Sequence, residues 1–377
     1  LTPWLDDPIF ADRLNWLSAV SGIDLAAYGT DADADTIRDT AIAQPLLVAS
    51  SLLAALALFP HPADAFGRVG AVAGHSVGEI AAATGAGVLT AEQAMVFVRE
   101  RGKAMAAASA ATPTGMTAVL GGDRDEVLQA LDLHGLTAAN DNGAGQLVAA
   151  GTTDQLQAFA AQPPAKARLR SLSVAGAFHT VHMRPAVDVL ARLARAITTH
   201  DTRARLISNR DGQIVHSGRD VLARLVTQVS NPVRWDLCLQ TMADLDVTGI
   251  LEMPPAGTLT SIARRQLKGV DTFALTTPDQ LDDARAFADK HGDSSPMDSS
   301  PTWRMLVSPA KGTFNQADDV PDGARLSVGT VIGAVANSRG TTSVPAPHGG
   351  TIVEWIVSDG DLVSPGQPLV RLHPESE

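Results

Sequence analysis

Residues 1 to about 285 alternate short β-branched runs with longer Ala- and Leu-rich stretches of helical pattern, and this alternation limits the fold more than any other feature. The run "RVGAVAG" (68–74) has the pattern of a buried strand, and "VGEIAAATGAG" (77–87) begins as a helix directly after it. Strands that alternate with helices are typical of an α/β fold with a largely parallel sheet. We therefore predict one such domain over residues 1–285.

A segment of about residues 112–174 has the pattern of an insertion into this domain. It contains a strand ("GMTAVLGG"), a helix ("RDEVLQALDL"), a second strand ("QLVAAG") and a second helix ("TDQLQAFAAQ"). This order predicts a small ferredoxin-like α+β subdomain that lies over the main sheet.

The α/β pattern ends in a polar stretch, "KHGDSSPMDSSP" (290–301), whose Ser, Asp and Pro content predicts a linker over residues 286–302. Short strands broken by Gly and Pro follow over residues 303–377. This region repeats itself, because "PAKGTF" (309–314) is echoed 38 residues later by "PHGGTI" (347–352). Two half-units of one period predict a small two-fold β-sandwich.

Charge and cysteine content exclude several functional classes. The net charge of −12 argues against a nucleic-acid-binding surface, which needs a basic stripe. The single cysteine, Cys238, leaves no partner for an internal disulfide or a thiolate metal cluster, and it indicates a reducing cytoplasm. The longest apolar run, from Leu46 to Phe59, is too short for a membrane span and predicts a buried helix.

The stretch "GHSVGE" (74–79) contains a G-x-S-x-G pattern at the predicted turn from strand to helix. In that position the pattern is typical of a nucleophile elbow, with Ser76 as the nucleophile. The amide of Val77, at the start of the helix, is then a candidate oxyanion donor. A structural glycine turn with a capping serine is the alternative.

A serine nucleophile needs a base, and "VAGAFHTVHM" (174–183) offers His179 and His182. His179 ends an apolar run, as a residue at the end of a strand beside a site would. The alternative is a buried histidine with a purely structural hydrogen bond.

Arg101 lies in "TAEQAMVFVRERGKAM" (90–105), which has the pattern of an amphipathic helix. Together with Ala94, Val98 and Met105 it falls on the inward stripe of that helix. An inward arginine needs an anionic partner, and its planar guanidinium suits a carboxylate. The partner is either an anionic substrate or, in a structural ion pair, a buried Asp or Glu.

The first region resembles malonyl-CoA:acyl carrier protein transacylases, and the resemblance runs in order through eight blocks. These blocks are "AQPLLVAS" (43–50), "GHSVGEI" (74–80), "RERGKAM" (99–105), "GMTAVLG" (115–121), "NDNGAGQLVAAG" (140–151), "AFHTVHM" (177–183), "QVSNPVRW" (228–235) and "LEMPPAGTL" (251–259). Eight ordered blocks are far more specific than one G-x-S-x-G. The resemblance implies a hydrolase-like α/β core.

The resemblance also implies roles for individual residues. Ser76 matches the acylated serine, His179 the base and Arg101 the residue that holds the malonyl carboxylate. Gln228 matches the position whose backbone carbonyl orients the histidine, so the catalytic pair is a Ser-His dyad. The remaining expected substrate-binding residues are Val77, His75, Met105, Asn140, Asn142 and Phe178, the last of which matches the malonyl-type pattern.

The chain departs from the family at its start. The family begins with a strand and a G-Q-G-S-Q-like loop whose glutamine amide completes the oxyanion hole, whereas this chain begins at "LTPWLDDP". Either the sequence is a fragment or the hole is incomplete. In the second case we expect poor catalysis, because the loss of one such donor costs on the order of a hundredfold or more in rate.

The C-terminal repeat resembles a biotinyl/lipoyl-type carrier domain, most clearly in "GGTIVEWIVSDGDLVSPGQPLVRL" (349–372). In that family the modified lysine lies on the hairpin between the repeats, which here holds "ANSRGTT" with Arg339 at the attachment position. An arginine stays protonated and cannot form the amide that biotin or lipoate needs. We therefore expect no biotin or lipoate, and we interpret the domain as a protein-docking module.

The expected function is transfer of a malonyl group from malonyl-CoA, through a malonyl-serine, to the phosphopantetheine thiol of an acyl carrier protein in fatty acid biosynthesis. A polyketide or malonate-decarboxylase-type acyltransferase would share this chemistry. A thioesterase-like hydrolase would share the serine and the base, and a non-catalytic assembly role would need neither. Docking of an acidic carrier protein needs a local basic patch, for which the candidates are Arg203, Arg205, Arg210, Arg264, Arg265 and Lys268.

Overall fold

The computed structural model describes residues 1–60, 65, 67–174, 176–292, 304–317, 319–321, 323–347 and 349–374. The chain divides into two compact units, Leu1–Ser295 and Pro296–Glu377.

The first unit is an α/β structure. The α-helices among its described residues are α1 (Thr2–Leu5), α2 (Pro8–Ser21), α3 (Leu25–Thr30), α4 (Ala34–Ile37), α5 (Thr40–Leu58), α6 (Gly78–Gly85), α7 (Ala91–Ala110), α8 (Arg124–Leu133), α9 (Thr153–Ala161), α10 (Arg184–Ala194), α11 (Gly218–Gln228), α12 (Trp235–Asp244), α13 (Thr258–Gln266) and α14 (Leu281–His291). The strands are β1 (Ala71–Ala73), β2 (Thr114–Gly121), β3 (Thr137–Asp141), β4 (Gln146–Thr152), β5 (Ala167–Ser171), β6 (Arg205–Ile207), β7 (Ile214–Val215), β8 (Val233–Arg234), β9 (Gly249–Glu252) and β10 (Asp271–Ala274). The largest apolar core lies between α2, α5, α6, α7, α10 and α11.

Two parallel strand pairs form the described part of the main sheet structure. In the first, β1 lies beside β6 with Val72 opposite Leu206, and β7 continues this sheet in the antiparallel direction. In the second, β9 pairs with β10. Because β1 and β6 are parallel neighbours, their carboxyl ends meet at one edge, where ligands of α/β sheets bind. This edge carries Ser76 and Asn209.

Helix α5 contains the apolar run for which we predicted a buried helix. It is longer than predicted because it begins at Thr40, where the side chain of Asp39 accepts a hydrogen bond from Ala41 N–H and caps the helix. By length and composition alone α5 could cross a membrane, since an 18-residue window has a mean hydropathy of 2.0; half of that window is buried inside the protein. Its inward face packs against the other helices of the largest core.

The insertion forms the subdomain expected between residues 112 and 174, with four strands rather than two. The antiparallel order β5-β2-β4-β3, with α8 and α9 in the connections, is the β-α-β-β-α-β arrangement of a ferredoxin-like motif. Strand β8 extends the sheet in parallel beside β3. The two missed strands, "TAAND" and "ARLRS", have few β-branched residues, so their pattern did not indicate strands.

The predicted linker over residues 286–302 is wrong in its first part, because α14 continues to His291. Ala284 of α14 is buried in the largest core, and the guanidinium of Arg285 donates to the carbonyl of Ala57 at 2.8 Å. The helix is therefore fastened to α5. Residues 293–302 of the predicted linker lie outside the described residues.

The second unit is a two-fold β-sandwich, as the repeat predicted. Its described strands are β11 (Arg304–Val307), β12 (Gly312–Gln316), β13 (Arg325–Leu326), β14 (Val331–Asn337), β15 (Gly340–Pro345), β16 (Gly350–Trp355), β17 (Leu362–Val363) and β18 (Pro368–Pro374). They form two sheets with the orders β11-β18-β16-β13 and β15-β14-β12-β17. Strands β11 to β14 make up the first half and β15 to β18 the second. Each strand of one half occupies the position in one sheet that its counterpart in the other half occupies in the other sheet. Both sheets supply one apolar core, which includes Phe314, Ile332, Ile352 and Leu369.

Candidate active site

Ser76 lies in a strained turn between β1 and α6. Its φ of 53° is in the left-handed region, which non-glycine residues rarely adopt. A Cβ at Gly74 would lie 2.0 Å from the carbonyl oxygen of Gly78, so only glycine fits there. A Cβ at Gly78 would meet no atom within 4 Å, so close packing does not require the second glycine of the pattern. The turn has the strand-to-helix context of a nucleophile elbow.

His179 lies within hydrogen-bond distance of Ser76. Its Nε2 is 2.7 Å from Ser76 Oγ, and its Nδ1 is 2.9 Å from the backbone carbonyl oxygen of Gln228. A carbonyl only accepts, so Nδ1 carries the proton and Nε2 is left to accept from the serine. Burial, and next the charge of Arg101, lower the pKa of His179 to about 3. The imidazole is therefore neutral at physiological pH and available as a base.

Arg101 projects from α7 toward the same serine and is 1% exposed. Its Nη2 donates to Ser76 Oγ at 3.3 Å and to Gln228 Oε1 at 2.8 Å, and Nη1 donates to Gln44 Oε1. Burial lowers the pKa of Arg101 to about 10, so the guanidinium remains a cation at neutral pH. Among the described residues no carboxylate lies within 4 Å of this guanidinium. Within that part of the chain, Arg101 therefore does not form the direct ion pair with a buried Asp or Glu that was the alternative.

Close helix packing places Gln44 beside Arg101. A Cβ at Gly102 would lie 2.7 Å from the carbonyl oxygen of Thr40, so the glycine lets the first turn of α5 rest against α7. Gln44 Nε2 also donates to Met105 Sδ at 3.4 Å, one turn beyond Arg101. Met105, which we expected to contact substrate, is 1% exposed and accepts this hydrogen bond from Gln44; its contact with substrate stays a prediction.

Behind the dyad, Glu79 and Asn209 form a network with the side chain of Gln228 that the sequence analysis missed. Glu79, in the first turn of α6, accepts from the backbone N–H of Asn209 at 3.0 Å and from Gln228 Nε2. Asn209 Oδ1 accepts from Ser76 N–H at 2.7 Å, and Asn209 Nδ2 donates to the carbonyl of Gly74 at 2.8 Å. Burial raises the pKa of Glu79 to about 7. The available signals were a charged residue, Glu79, on the otherwise uncharged helix α6 and an amide, Gln44, directly before the apolar run of α5; Asn209 follows a buried strand.

The amide of Val77 fits the expected oxyanion donor. The amides on either side are engaged, because Ser76 N–H donates to Asn209 and Gly78 N–H donates to the carbonyl of His75 at 3.0 Å. Within the described parts of the chain, the structure gives Val77 N–H no acceptor. It lies at the amino end of α6, where the helix dipole favours negative charge.

The remaining expected substrate residues lie at different distances from the dyad. His75 Nε2 is 2.8 Å from Asn142 Oδ1, and its ring packs edge-on against Trp235; burial lowers the pKa of His75. Asn140 is buried in β3 between β4 and β8. Phe178, directly before His179, is half-buried against the largest core. Contact of these side chains with substrate stays a prediction.

A scan against family models matches the acyl transferase domain over residues 8–290. A malonyl CoA-acyl carrier protein transacylase of Mycolicibacterium smegmatis is 51% identical over 286 residues, which are 75% of this chain and 98% of that protein. The crystal structure of MCAT from Mycobacterium tuberculosis superposes with a TM-score of 0.72 at 49% identity, covering 76% of this chain and 94% of that chain. A chain in the structure of a type II PKS acyl-carrier protein in complex with its malonyl-transacylase superposes on this protein with a TM-score of 0.68 at 28% identity. The match covers 74% of this chain and 92% of that one. The chain therefore belongs to the acyl transferase domain family.

Proposed function

We propose that this protein transfers a malonyl group from malonyl-CoA, through an ester of Ser76, to the phosphopantetheine thiol of an acyl carrier protein in fatty acid biosynthesis. The observation that carries the proposal is the buried Arg101 guanidinium, 3.3 Å from the Oγ of a serine that is also paired with a neutral histidine. The relatives named as malonyl CoA-acyl carrier protein transacylases support the same activity. With a single, buried cysteine, we also propose a cytoplasmic location.

In the first half-reaction, Arg101 binds the free carboxylate of malonyl-CoA and brings the thioester carbonyl to Ser76. His179 Nε2 takes the proton of Ser76 Oγ as that oxygen attacks, and the Gln228 carbonyl stabilises the imidazolium through Nδ1–H. The amide of Val77 donates to the oxyanion. The C–S bond then breaks, His179 returns the proton to the departing CoA sulfur, and a malonyl ester remains on Ser76.

In the second half-reaction, the carrier-protein thiol takes the place of CoA. His179 Nε2 accepts the thiol proton as the sulfur attacks the ester carbonyl. The C–O bond breaks, the proton passes to Ser76 Oγ, and the malonyl thioester leaves on the carrier protein. The two half-reactions use the same atoms in reverse roles, which is ping-pong transfer.

Arg101 fits a dicarboxylic acyl group, which an esterase of a simple acyl group does not need to bind. The relatives named as transacylases favour transfer over hydrolysis of that group, and the two reactions differ in the acceptor. Purified protein mixed with malonyl-CoA and a phosphopantetheinylated carrier protein should give malonyl-carrier protein faster than free malonate. Free malonate as the main product would favour the hydrolase. A polyketide or decarboxylase-type role would differ in the carrier that is preferred, not in this chemistry.

We propose that the carrier protein docks near α13. Arg264 donates to Thr272 Oγ1 at 2.6 Å, and Arg265 donates to Gln146 Oε1 at 3.2 Å. Both side chains are exposed and bind neutral groups, so their charges are available to an acidic partner. Through Arg265 and Gln146, this patch extends from α13 to the start of β4 in the ferredoxin-like subdomain.

We propose that the second unit is a biotinyl/lipoyl-like domain that carries no biotin or lipoate and acts in protein docking. Two features support the likeness: each of the two four-stranded sheets contains strands from both halves of the repeat, and β14 and β15 form a hairpin between the halves. Arg339 lies at the exposed tip of this hairpin, where its N–H donates to Asn337 Oδ1 at 2.8 Å. If the likeness holds, Arg339→Lys should accept biotin or lipoate from the corresponding ligase, and the unchanged protein should not. Failure of both ligases on folded Arg339→Lys would count against the likeness.

A further inference from the structure

Glu79 lies behind the dyad and contacts neither Ser76 Oγ nor His179 Nε2. It accepts hydrogen bonds from Asn209 and Gln228, the two residues that hold the site in place. It is 3% exposed. One carboxylate oxygen accepts the backbone N–H of Asn209, whose side chain fixes both sides of the nucleophile turn. The other accepts from Gln228 Nε2, and Gln228 in turn contacts both Arg101 and His179.

At pH 8 the carboxyl of Glu79 is ionised, because this pH lies above the pKa of about 7 to which burial raises it, and the hydrogen-bonding capacities along this chain of contacts then allow one arrangement only. A carboxylate can only accept and a guanidinium can only donate. The Gln228 amide between them must therefore direct its N–H to Glu79 and its oxygen to Arg101. Nε2 donates further to the carbonyl of Ser76 at 3.1 Å, which ties the same amide to the nucleophile.

This arrangement also decides the electrostatics of the site. Arg101 meets a neutral amide oxygen, and the negative charge stays one residue further away on Glu79. The guanidinium is held in place without a carboxylate in contact, so its charge is left for the acyl group. Resting on the proposed malonyl transfer, we propose that Glu79 is a positioning residue that fixes the Gln228 amide and thereby sets malonyl specificity through Arg101.

The isosteric change Glu79→Gln creates a conflict that no rotation of the amides removes. The new amide oxygen must face the fixed backbone N–H of Asn209, so its NH₂ group faces Gln228 Nε2. Gln228 can relieve this donor–donor contact by turning its amide over, since its last side-chain bond is free to rotate, but its NH₂ group then faces Arg101. The guanidinium loses an acceptor and is displaced from its position beside Ser76.

The double variant E79Q/Q228E separates geometry from charge. The amide at position 79 can donate to the new carboxylate at position 228, which also accepts from Arg101, so the contacts that link position 79 to Arg101 are restored, whereas the hydrogen bond from position 228 to the carbonyl of Ser76 is lost. In this variant the carboxylate at position 228 contacts Arg101 directly and neutralises its charge. We expect the double variant to recover part of the thermal stability that Glu79→Gln loses and to remain poor with malonyl-CoA.

The experiment measures kcat/KM at pH 8 for malonyl-CoA and acetyl-CoA, with thermal stability, in the wild type and both variants. Glu79→Gln should lower the malonyl-to-acetyl ratio by on the order of 10- to 100-fold, as expected when a buried group loses its partner. Glu252→Gln is the matched control, because Glu252 is also buried but accepts from Gly257, Leu259 and Thr260 at the start of α13. It should lose stability and keep the wild-type ratio.

An unchanged ratio in folded Glu79→Gln, an equal fall in the ratio for Glu252→Gln, or recovered malonyl preference in E79Q/Q228E would each overturn the proposal. If Glu79→Gln does not fold, the double variant still decides whether the negative charge must stay away from Arg101: recovered malonyl preference contradicts this part of the proposal, and lost preference supports it. A wild-type protein that does not transfer malonyl at all would instead refute the proposed function.

Discussion

Replacement of Arg101 by alanine tests the feature on which malonyl specificity depends. The guanidinium is buried, cationic and 3.3 Å from Ser76 Oγ, so a malonyl carboxylate bound there would lie about 4 Å from the positive charge. At an effective dielectric constant of about 20, such a pair contributes about 4 kcal/mol. Because about 1.4 kcal/mol corresponds to a factor of ten, Arg101→Ala should lower kcat/KM for malonyl-CoA by roughly 1000-fold.

The assay compares malonyl-CoA with acetyl-CoA, which has no free carboxylate and so loses no ion pair. Arg101→Ala should therefore prefer acetyl-CoA. Arg101→Met keeps the buried aliphatic stem and should show the same change in preference with less loss of stability. Arg99→Ala is the control, since Arg99 lies on the same helix but pairs with Glu100 at 2.7 Å. Equal losses for the two thioesters would refute the reasoning and reduce Arg101 to a structural residue.

Three further predictions concern the turn, the base and the docking patch. Gly74→Ala should destabilise the protein by about 3 kcal/mol through its clash with the Gly78 carbonyl, whereas Gly78→Ala should be nearly neutral; chemical denaturation measures both, and equal effects would contradict the turn geometry. Because the pKa of His179 is lowered to about 3 in the folded state, the unfolded chain binds a proton that the folded chain does not between pH 6.5 and 3, so stability should fall as the pH falls through this range. His179→Gln should remove that part of the slope in denaturation curves at pH 7.5 and 4.5, and an unchanged slope would exclude His179 as its source. Reversal of Arg264 and Arg265 to Glu should raise KM for the carrier protein and spare acylation of Ser76; an unchanged KM would exclude this patch.

The dyad and its arginine were predictable because each carries a local signal. Ser76 stands at a strand-to-helix turn, Arg101 interrupts an apolar helical stripe, and His179 ends an apolar run. The structure places both His179 and Arg101 within hydrogen-bond distance of Ser76, as the family resemblance implied. Gln228 was identified for its backbone carbonyl, which does contact His179.

The supporting network was not predictable, because it depends on contacts between distant segments. Glu79 meets Gln228 from 149 positions away, and Asn209 meets Ser76 from 133 positions away. No periodicity encodes such contacts; they follow from the parallel pairing of β1 with β6 and from the approach of α11 to α6. The Gln228 side chain was missed for the same reason, because its amide bonds Glu79 and Arg101, which the fold brings to it from distant parts of the sequence.

The intact mass of the protein after brief mixing with malonyl-CoA tests the role of Ser76 most directly. We predict one malonyl group on the wild type, located on Ser76 by peptide mapping, and none on Ser76→Ala. Ser109→Ala, which removes another buried serine whose hydroxyl donates within α7, should be labelled like the wild type. A wild type that takes up no malonyl group, or a Ser76→Ala variant that is labelled equally, would contradict the proposed acyl-serine mechanism.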